Sequence, residues 1–386
     1  MSEAMGHAAE ARRVIETDVA DVQLDGDGVP SQVNGYRVLK QLGEGTFSKV
    51  YLCEDGQGST YALKILNKSF LKRKREYKKV DGKMVFSNAF QKVQKEVAIM
   101  KKLAHTNLVK LHEVIDSPAD DKLFLVLELI TGGQVMEWDD RAFRYRCPRN
   151  PRGVLDVDEV RRCLFDVVHA LDYLHQNQIC HRDIKPENIL IAAGGTYKLA
   201  DFGVAHMLDD SEKKTMRNTE GTYHFLAPEC TTGEEYDPCQ VDIWALGVTT
   251  YALLLGTLPF GTKAASLSDV MDSIRVDALA LPDDVDPECS VLMKMMMTKD
   301  PKLRATAEQL KQVPWLAGAR DGRAVTSASV EVSKEEIEAA FTPASGATAP
   351  GTRDAASTPS SPVKSNRAFS ALTNHETIKS GACLLM

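Results

Sequence analysis

A chain of 386 residues with 43% hydrophobic side chains is long enough for one large two-part domain with appendages. Its formal charge of -7 gives no global reason to bind nucleic acid, and eight cysteines without a C-x-x-C pair argue against a structural zinc site or a disulfide framework. No run of 18 apolar residues occurs, and the start carries Glu3 and Glu10 where a leader would have an apolar core; no membrane span and a reducing compartment are expected.

Residues 1–35 are polar, rich in Gly, Asp and Ala and without sustained periodicity, which predicts a disordered segment. A dense apolar pattern then runs from Tyr36 to Trp315. Residues 36–39 and 49–52 alternate like two antiparallel strands joined by a Gly-containing loop, and 61–65 reads as a third strand. Residues 68–91 are basic, through Lys72, Arg73, Lys74, Arg75, Lys78 and Lys79, and read as a solvated insert. Helical spacing over 91–103 puts Val93, Val97, Met100 and Leu103 on one stripe. The nearly unbroken apolar run 123–129 predicts a buried strand, and past Gly133 helices are predicted over 157–175, 239–255 and 266–274. A strand-rich part (36–130, with one main helix) before a helix-rich part (131–316) predicts an α+β fold with a small β lobe hinged to a larger α lobe. Residues 317–386 read as a flexible tail of Ala, Ser, Thr, Pro and Gly, with one short helix over 330–341 started by Ser333 and Glu336. Thr342, Thr358 and Ser361 each precede a proline, a pairing common in disordered tails.

Three motifs carry the chemistry. Residues His181 to Asn188 read H-R-D-I-K-P-E-N, Asp201-Phe202-Gly203 follows, and Ala227-Pro228-Glu229 comes next. In this order and spacing they resemble the signature of the protein kinases, and the resemblance covers about 36–315. It implies a bilobal kinase fold that uses ATP and Mg2+. Glycines in Gly43, Glu44, Gly45, Thr46, Phe47, Ser48, Lys49 and Val50 would let the backbone approach phosphates, with Ser48 standing where a third glycine is usual. Leu42, Val50, Ala62 and Leu190 would line the nucleotide site. Lys64 would grip the phosphates, oriented by an ion pair with Glu96. The backbone of Glu128 and Ile130 would meet adenine, with Leu127 as gatekeeper. Asp183 would be the base for the substrate hydroxyl, Lys185 would stabilise charge on the transferring phosphate, and Asn188 and Asp201 would hold the metal. Lys185 in this loop also accompanies serine/threonine kinases. Met100, Leu111, His181 and Phe202, the Glu229–Arg304 pair and the run Asp242 to Gly247 are assigned packing, with no chemical role.

Shorter pieces narrow the resemblance. Gly133 to Glu137, Asn218 to Thr222 and Val330 to Ile337 resemble the calcium/calmodulin-dependent protein kinase kinases, and Ala227 to Cys230 is shared with plant kinases that activate sucrose-nonfermenting-type kinases. This resemblance implies an upstream kinase acting on activation-loop threonines of other kinases. A general calmodulin-kinase-like enzyme with unrelated substrates and a pseudokinase scaffold stay open as alternatives. Asn218 stands where many kinases carry the activating threonine; Thr219 is the nearest substitute, beside Thr222 in the same segment, so basal activity without an upstream kinase is expected. Tyr223 and His224 depart from the usual residues after Gly221-Thr222. Residues 364–379 hold few basic residues and a poor amphipathic stripe, so calmodulin binding is not expected. Cys383-Leu384-Leu385-Met386 fits C-a-a-X and predicts a farnesyl group at Cys383. One prenyl chain anchors only marginally, so the expectation is a cytoplasmic protein with a reversible fraction on the cytoplasmic face of membranes.

Overall fold

The computed structural model describes residues 14–319 except 46–47, 81–82, 203–204, 208–221, 263 and 265. Three short strands, β1 (Ile15–Thr17), β2 (Val22–Leu24) and β3 (Pro30–Val33), precede the longer β4 (Tyr36–Glu44), β5 (Ser48–Glu54) and β6 (Thr60–Asn67). Helix α1 (Lys68–Arg73), a hairpin of β7 (Arg75–Val80) and β8 (Lys83–Asn88), and helix α2 (Ala89–Lys102) follow. Strands β9 (Leu111–Ile115) and β10 (Lys122–Glu128) complete the first lobe.

One sheet runs in the order β1-β9-β10-β6-β5-β4-β3-β2. Its two end strands are consecutive in sequence, joined only through residues 18–21. Eight strands laid flat would span roughly 34 Å at the usual interstrand spacing. A four-residue link reaches at most about 18 Å. The sheet therefore curls until its ends meet. Val33, Tyr51, Cys53, Leu63, Ile115, Phe124 and Val126 fill the inside of the curl. Three contacts hold the closure. The Thr17 and Tyr36 hydroxyls donate to the Glu113 carboxylate at 2.5 and 2.7 Å, and the Asn34 amide nitrogen donates to the Val19 carbonyl at 3.0 Å.

The expectation of disorder through residue 35 is thus corrected for 14–35. These strands are three or four residues long and only Pro30 and Val33 in them are buried, so no periodicity shows; their backbones are held by pairing with β9 and β4. The basic insert is corrected in part. It contains an ordered helix, a hairpin and the start of α2, and the Lys68 ammonium is buried, donating to Asp116 at 2.9 Å and to the Ser117 carbonyl at 2.7 Å. Asn67 caps α1, and Asn88 with Gln91 forms a reciprocal capping box on α2.

The second lobe opens with a hairpin of β11 (Glu137–Asp139) and β12 (Arg144–Arg146), then α3 (Val157–Gln176). The short strands β13 (Ile179–Cys180), β14 (Ile189–Ile191), β15 (Tyr197–Leu199) and β16 (His206–Met207) pair as β13 with β16 and β14 with β15. Helices α4 (Pro238–Leu255), α5 (Leu267–Val276), α6 (Pro287–Met296), α7 (Ala307–Lys311) and α8 (Pro314–Ala317) finish the described chain. Helix α4 is long and apolar enough to cross a membrane, yet Ile243, Trp244, Leu246 and Val248 are buried in the lobe, which makes it a core helix. The link between the lobes is zipped to β14. Gly132 N–H donates to the Ile191 carbonyl at 3.0 Å, Ile191 N–H to Gly133 at 2.9 Å and Val135 N–H to Ile189 at 2.8 Å. A Cβ on Gly132 would stand 2.3 Å from the Ile191 oxygen, so only glycine permits this approach.

Candidate active site

Alternation along β5, β6 and β10 sorts their side chains between two environments. Tyr51, Leu63, Ile65, Phe124 and Val126 point into the curled sheet, while Val50, Ala62, Leu66, Leu125 and Leu127 join the larger core shared with α2 and the second lobe. Lys64 shares the second face. Its register partners are Val50 on one side and Leu125 on the other. Its ammonium lies 3.5 Å from a Glu96 carboxylate oxygen, and both side chains are only 6% exposed. A small cavity lined by Lys64, Glu96, Leu127 and Asp201 brings the expected phosphate grip, its orienting partner, the gatekeeper and a metal ligand together.

The turn above this face keeps its ladder as far as Glu44 opposite Lys49, and Gly45 N–H donates to the Ser48 carbonyl at 2.8 Å. Ser48 is buried, and Thr46 and Phe47 lie outside the described residues. Leu42 is half-buried and Leu190 buried in the shared core. Glu128 gives its amide N–H to the Lys110 carbonyl at 2.8 Å and its carboxylate to Lys198 at 3.0 Å; Ile130, two residues on, is buried.

The loop after β13 is fixed from behind by one carboxylate. Buried Asp242 of α4 accepts the amide N–H groups of His181 at 2.8 Å and Arg182 at 2.7 Å, and pairs with His175 Nε2 at 2.9 Å. Asp242 thus adds the anchoring of this loop to the packing role assigned to it. The signal was present in the sequence as a lone acid inside an apolar helix, because a buried carboxylate must find donors. Those hydrogen bonds compensate a backbone that Arg182 holds at φ 69, where a non-glycine residue is strained. His181 is fully buried, with Nε2 3.0 Å from the Ala200 carbonyl and Nδ1 accepting the Asp183 N–H at 3.4 Å. Burial holds its pKa below the usual value, so it serves as a neutral strut.

At the front of the loop, Asp183 is the hub. Lys185 Nζ lies 2.7 Å from Asp183 Oδ2, and Asn188 Nδ2 donates to the same oxygen at 3.0 Å and to the Asp183 carbonyl at 2.7 Å. The Thr222 hydroxyl donates to Asp183 Oδ1 at 3.1 Å and accepts from Lys185 Nζ at 3.2 Å. Sequence reading placed Thr222 only in the activation segment; its contact with Asp183 was not legible across 39 residues of chain. Glu187, in the same loop, accepts the Tyr145 hydroxyl at 3.1 Å, and burial raises its pKa.

The residues present fit ATP with magnesium. The Asn188 amide nitrogen is spent on Asp183, so its carbonyl oxygen is what remains to offer a hard cation. Asp201 adds a carboxylate beside Lys64, at a backbone φ of 65. Among the described residues no group of three His, Cys, Asp or Glu side chains could hold a metal alone, so Asn188 and Asp201 would hold it together with oxygens from outside the protein. Thr219 and Cys383 fall outside the described residues, as does the short helix expected over 330–341. Further down, Arg304 makes a two-pronged pair with Glu229, at 2.6 and 2.9 Å, and His181 meets the Phe202 ring edge at 5.2 Å.

Comparison with known proteins agrees with this geometry. The protein kinase domain family matches residues 36–316. A probable serine/threonine-protein kinase of Dictyostelium discoideum is 37% identical over 73% of the chain. The serine/threonine-protein kinase GRIK2 of Arabidopsis thaliana is 36% identical over 74%, and a calcium/calmodulin-dependent protein kinase kinase of Caenorhabditis elegans 34% over 80%. The matches span 38%, 66% and 58% of those proteins' own lengths, so each relative carries sequence beyond them. With Lys64, Glu96 and Asp201 lining one cavity and Asp183, Lys185 and Asn188 joined in one loop, the chain belongs to the protein kinase family, and its kinase domain is of the serine/threonine class.

Proposed function

We propose that this protein transfers the terminal phosphoryl group of ATP to threonines in the activation segments of other kinases. The observation that carries the transfer is the hydroxyl held between Asp183 and Lys185. Thr222 shows that an alcohol fits there with its proton directed at the carboxylate and its oxygen beside the ammonium. A substrate threonine in that place would lose its proton to Asp183 as its oxygen attacks phosphorus. Lys185 and Lys64 would offset charge on the phosphate oxygens, and Glu96 would hold Lys64 in place. Magnesium, when bound, would shield the remaining negative charge.

The choice of substrate rests on likeness. One relative's name, a protein kinase kinase, makes its target a kinase, and the motifs from Gly133 to Glu137 resemble that group. The test is a transfer assay on the catalytic subunit of an AMP-activated-type kinase and on its variant lacking the activation-loop threonine. Incorporation into the first and not the second is expected; equal incorporation into both removes the upstream assignment. The reading also includes action without calmodulin, checked by a calcium-dependent calmodulin titration showing no tight binding. It includes reversible membrane residence through a farnesyl at Cys383, and an unchanged membrane fraction on Cys383→Ser would refute that residence.

A further inference from the structure

Two sulfurs meet directly behind the catalytic loop. Cys180, the last residue of β13, immediately precedes His181, and its Sγ lies 3.2 Å from Sγ of Cys239 in the first turn of α4. Of the seven described cysteines, Cys239 alone is not fully buried, so it is the sulfur an oxidant reaches first. Three residues beyond Cys239 stands Asp242, whose carboxylate fixes the His181 and Arg182 amides. Cys180 also pairs with His206, shortly after Asp201 and Phe202. The thiol pair therefore sits where the catalytic loop, its anchor and the strand after the metal ligand converge.

We propose that Cys180 and Cys239 form a reversible disulfide that switches the kinase off in the presence of a hydroperoxide. The sulfur of Cys239 attacks the peroxide; an S–O bond forms, the O–O bond breaks, and the departing oxygen takes the thiol's proton and leaves as an alcohol or water. The sulfur of Cys180 then attacks the sulfenic sulfur; the S–S bond forms, the S–O bond breaks, and its proton leaves with the hydroxide as water. Two electrons pass from the two thiols to one peroxide. Cys180 takes the second part, since its hydrogen bond to Cys239 and its burial raise its pKa well above the usual thiol value.

The consequence follows from distance. A disulfide needs its sulfurs about 2.05 Å apart, so the pair must close by roughly 1 Å. That pull acts on the residue next to His181 and on the helix turn that carries Asp242. A misplacement of about 1 Å at a catalytic group is enough for a 10²-fold loss. In a reducing compartment such a bond would be transient, which suits a sensor better than a structural brace.

The test uses the full chain treated with hydrogen peroxide. Non-reducing peptide mapping should find the Cys180 and Cys239 peptides joined and about 2 Da lighter than the separate thiols. Transfer activity should fall at least about tenfold and return with dithiothreitol. Cys239→Ser and Cys239→Ala should keep their activity in peroxide; using both guards against one substitution disturbing the fold. A joined peptide with unchanged activity overturns the switch. Absence of the joined peptide while other thiols oxidise, or equal inhibition of both variants, overturns the pair itself. The mapping does not depend on which substrate the kinase prefers, so its failure is distinct from failure of the upstream reading.

Discussion

The Asp183 carboxylate holds Lys185, Asn188 and Thr222 at hydrogen-bonding distance, and its neutral isostere keeps the shape while losing the proposed base. Asp183→Asn should lower kcat by about 10²–10⁴-fold with the unfolding midpoint nearly unchanged, read by transfer assay and thermal melt on the same sample. His105 offers a test by pH. Burial, aided by the charges of His169 and Lys198, pushes its pKa from 6.5 down to about 4, while its ring stacks on Tyr173 and Nδ1 accepts the Asn107 N–H. Between those values the unfolded chain binds more protons, so this contribution is complete above about pH 6.5 and disappears as pH falls toward 4. Partial exposure trims it to on the order of 2 kcal/mol. In His105→Phe the acid-side loss in denaturant midpoint should shrink by that amount; an unaltered acid limb would count against it. Lys64, Asp183, Asn188 and Asp201 stood out in the sequence because the expected phosphoryl transfer demands those residue types at those spacings. For Asp242 the sequence showed a buried acid in need of donors but not which ones, and the Thr222 contact was not legible at all, since each acts across more than 35 residues and only the folded chain brings the partners together.

Among the elements, the long ones were read to within a few residues. Helix α3 was expected over 157–175 and occupies Val157–Gln176, because its apolar stripe is sustained and Glu159 accepts the Asp156 N–H at its start. Strands β1 to β3 escaped notice for the opposite reason: a strand of three or four residues has no period to show, and β1 finds its partner β9 nearly a hundred residues away in sequence. The link around Gly132 gives a prediction at this scale. Gly132→Ala would force a Cβ against the Ile191 carbonyl, and the backbone there is itself bound to Gly132. A loss of about 1–3 kcal/mol in chemical denaturation is expected, together with a weaker grip on nucleotide because the link would have to move away from β14. A variant as stable as the parent would show that the two segments separate freely.

Across the whole molecule, the larger lobe is locked by Arg304 and Glu229, which lie 75 residues apart. The arginine side chain is fully buried and also donates to the Gln240 and Thr298 carbonyls, so it holds the segment before α5 to the chain after α6. Arg304→Met strands the Glu229 carboxylate and three backbone acceptors, and about 3–5 kcal/mol of stability should go with it, read as a lower denaturant midpoint. In the smaller lobe, the strand β1 has a different consequence for anyone handling the protein. The family match begins at Tyr36, which makes that residue a natural place to trim. A polypeptide cut there would lose the neighbour of Leu111–Ile115 and bare a rim of unpaired amides flanked by apolar side chains. Such rims recruit strands from other molecules. Light scattering should show the shortened protein clumping at concentrations where the full chain stays clear, so the first twenty-odd ordered residues serve solubility as much as shape.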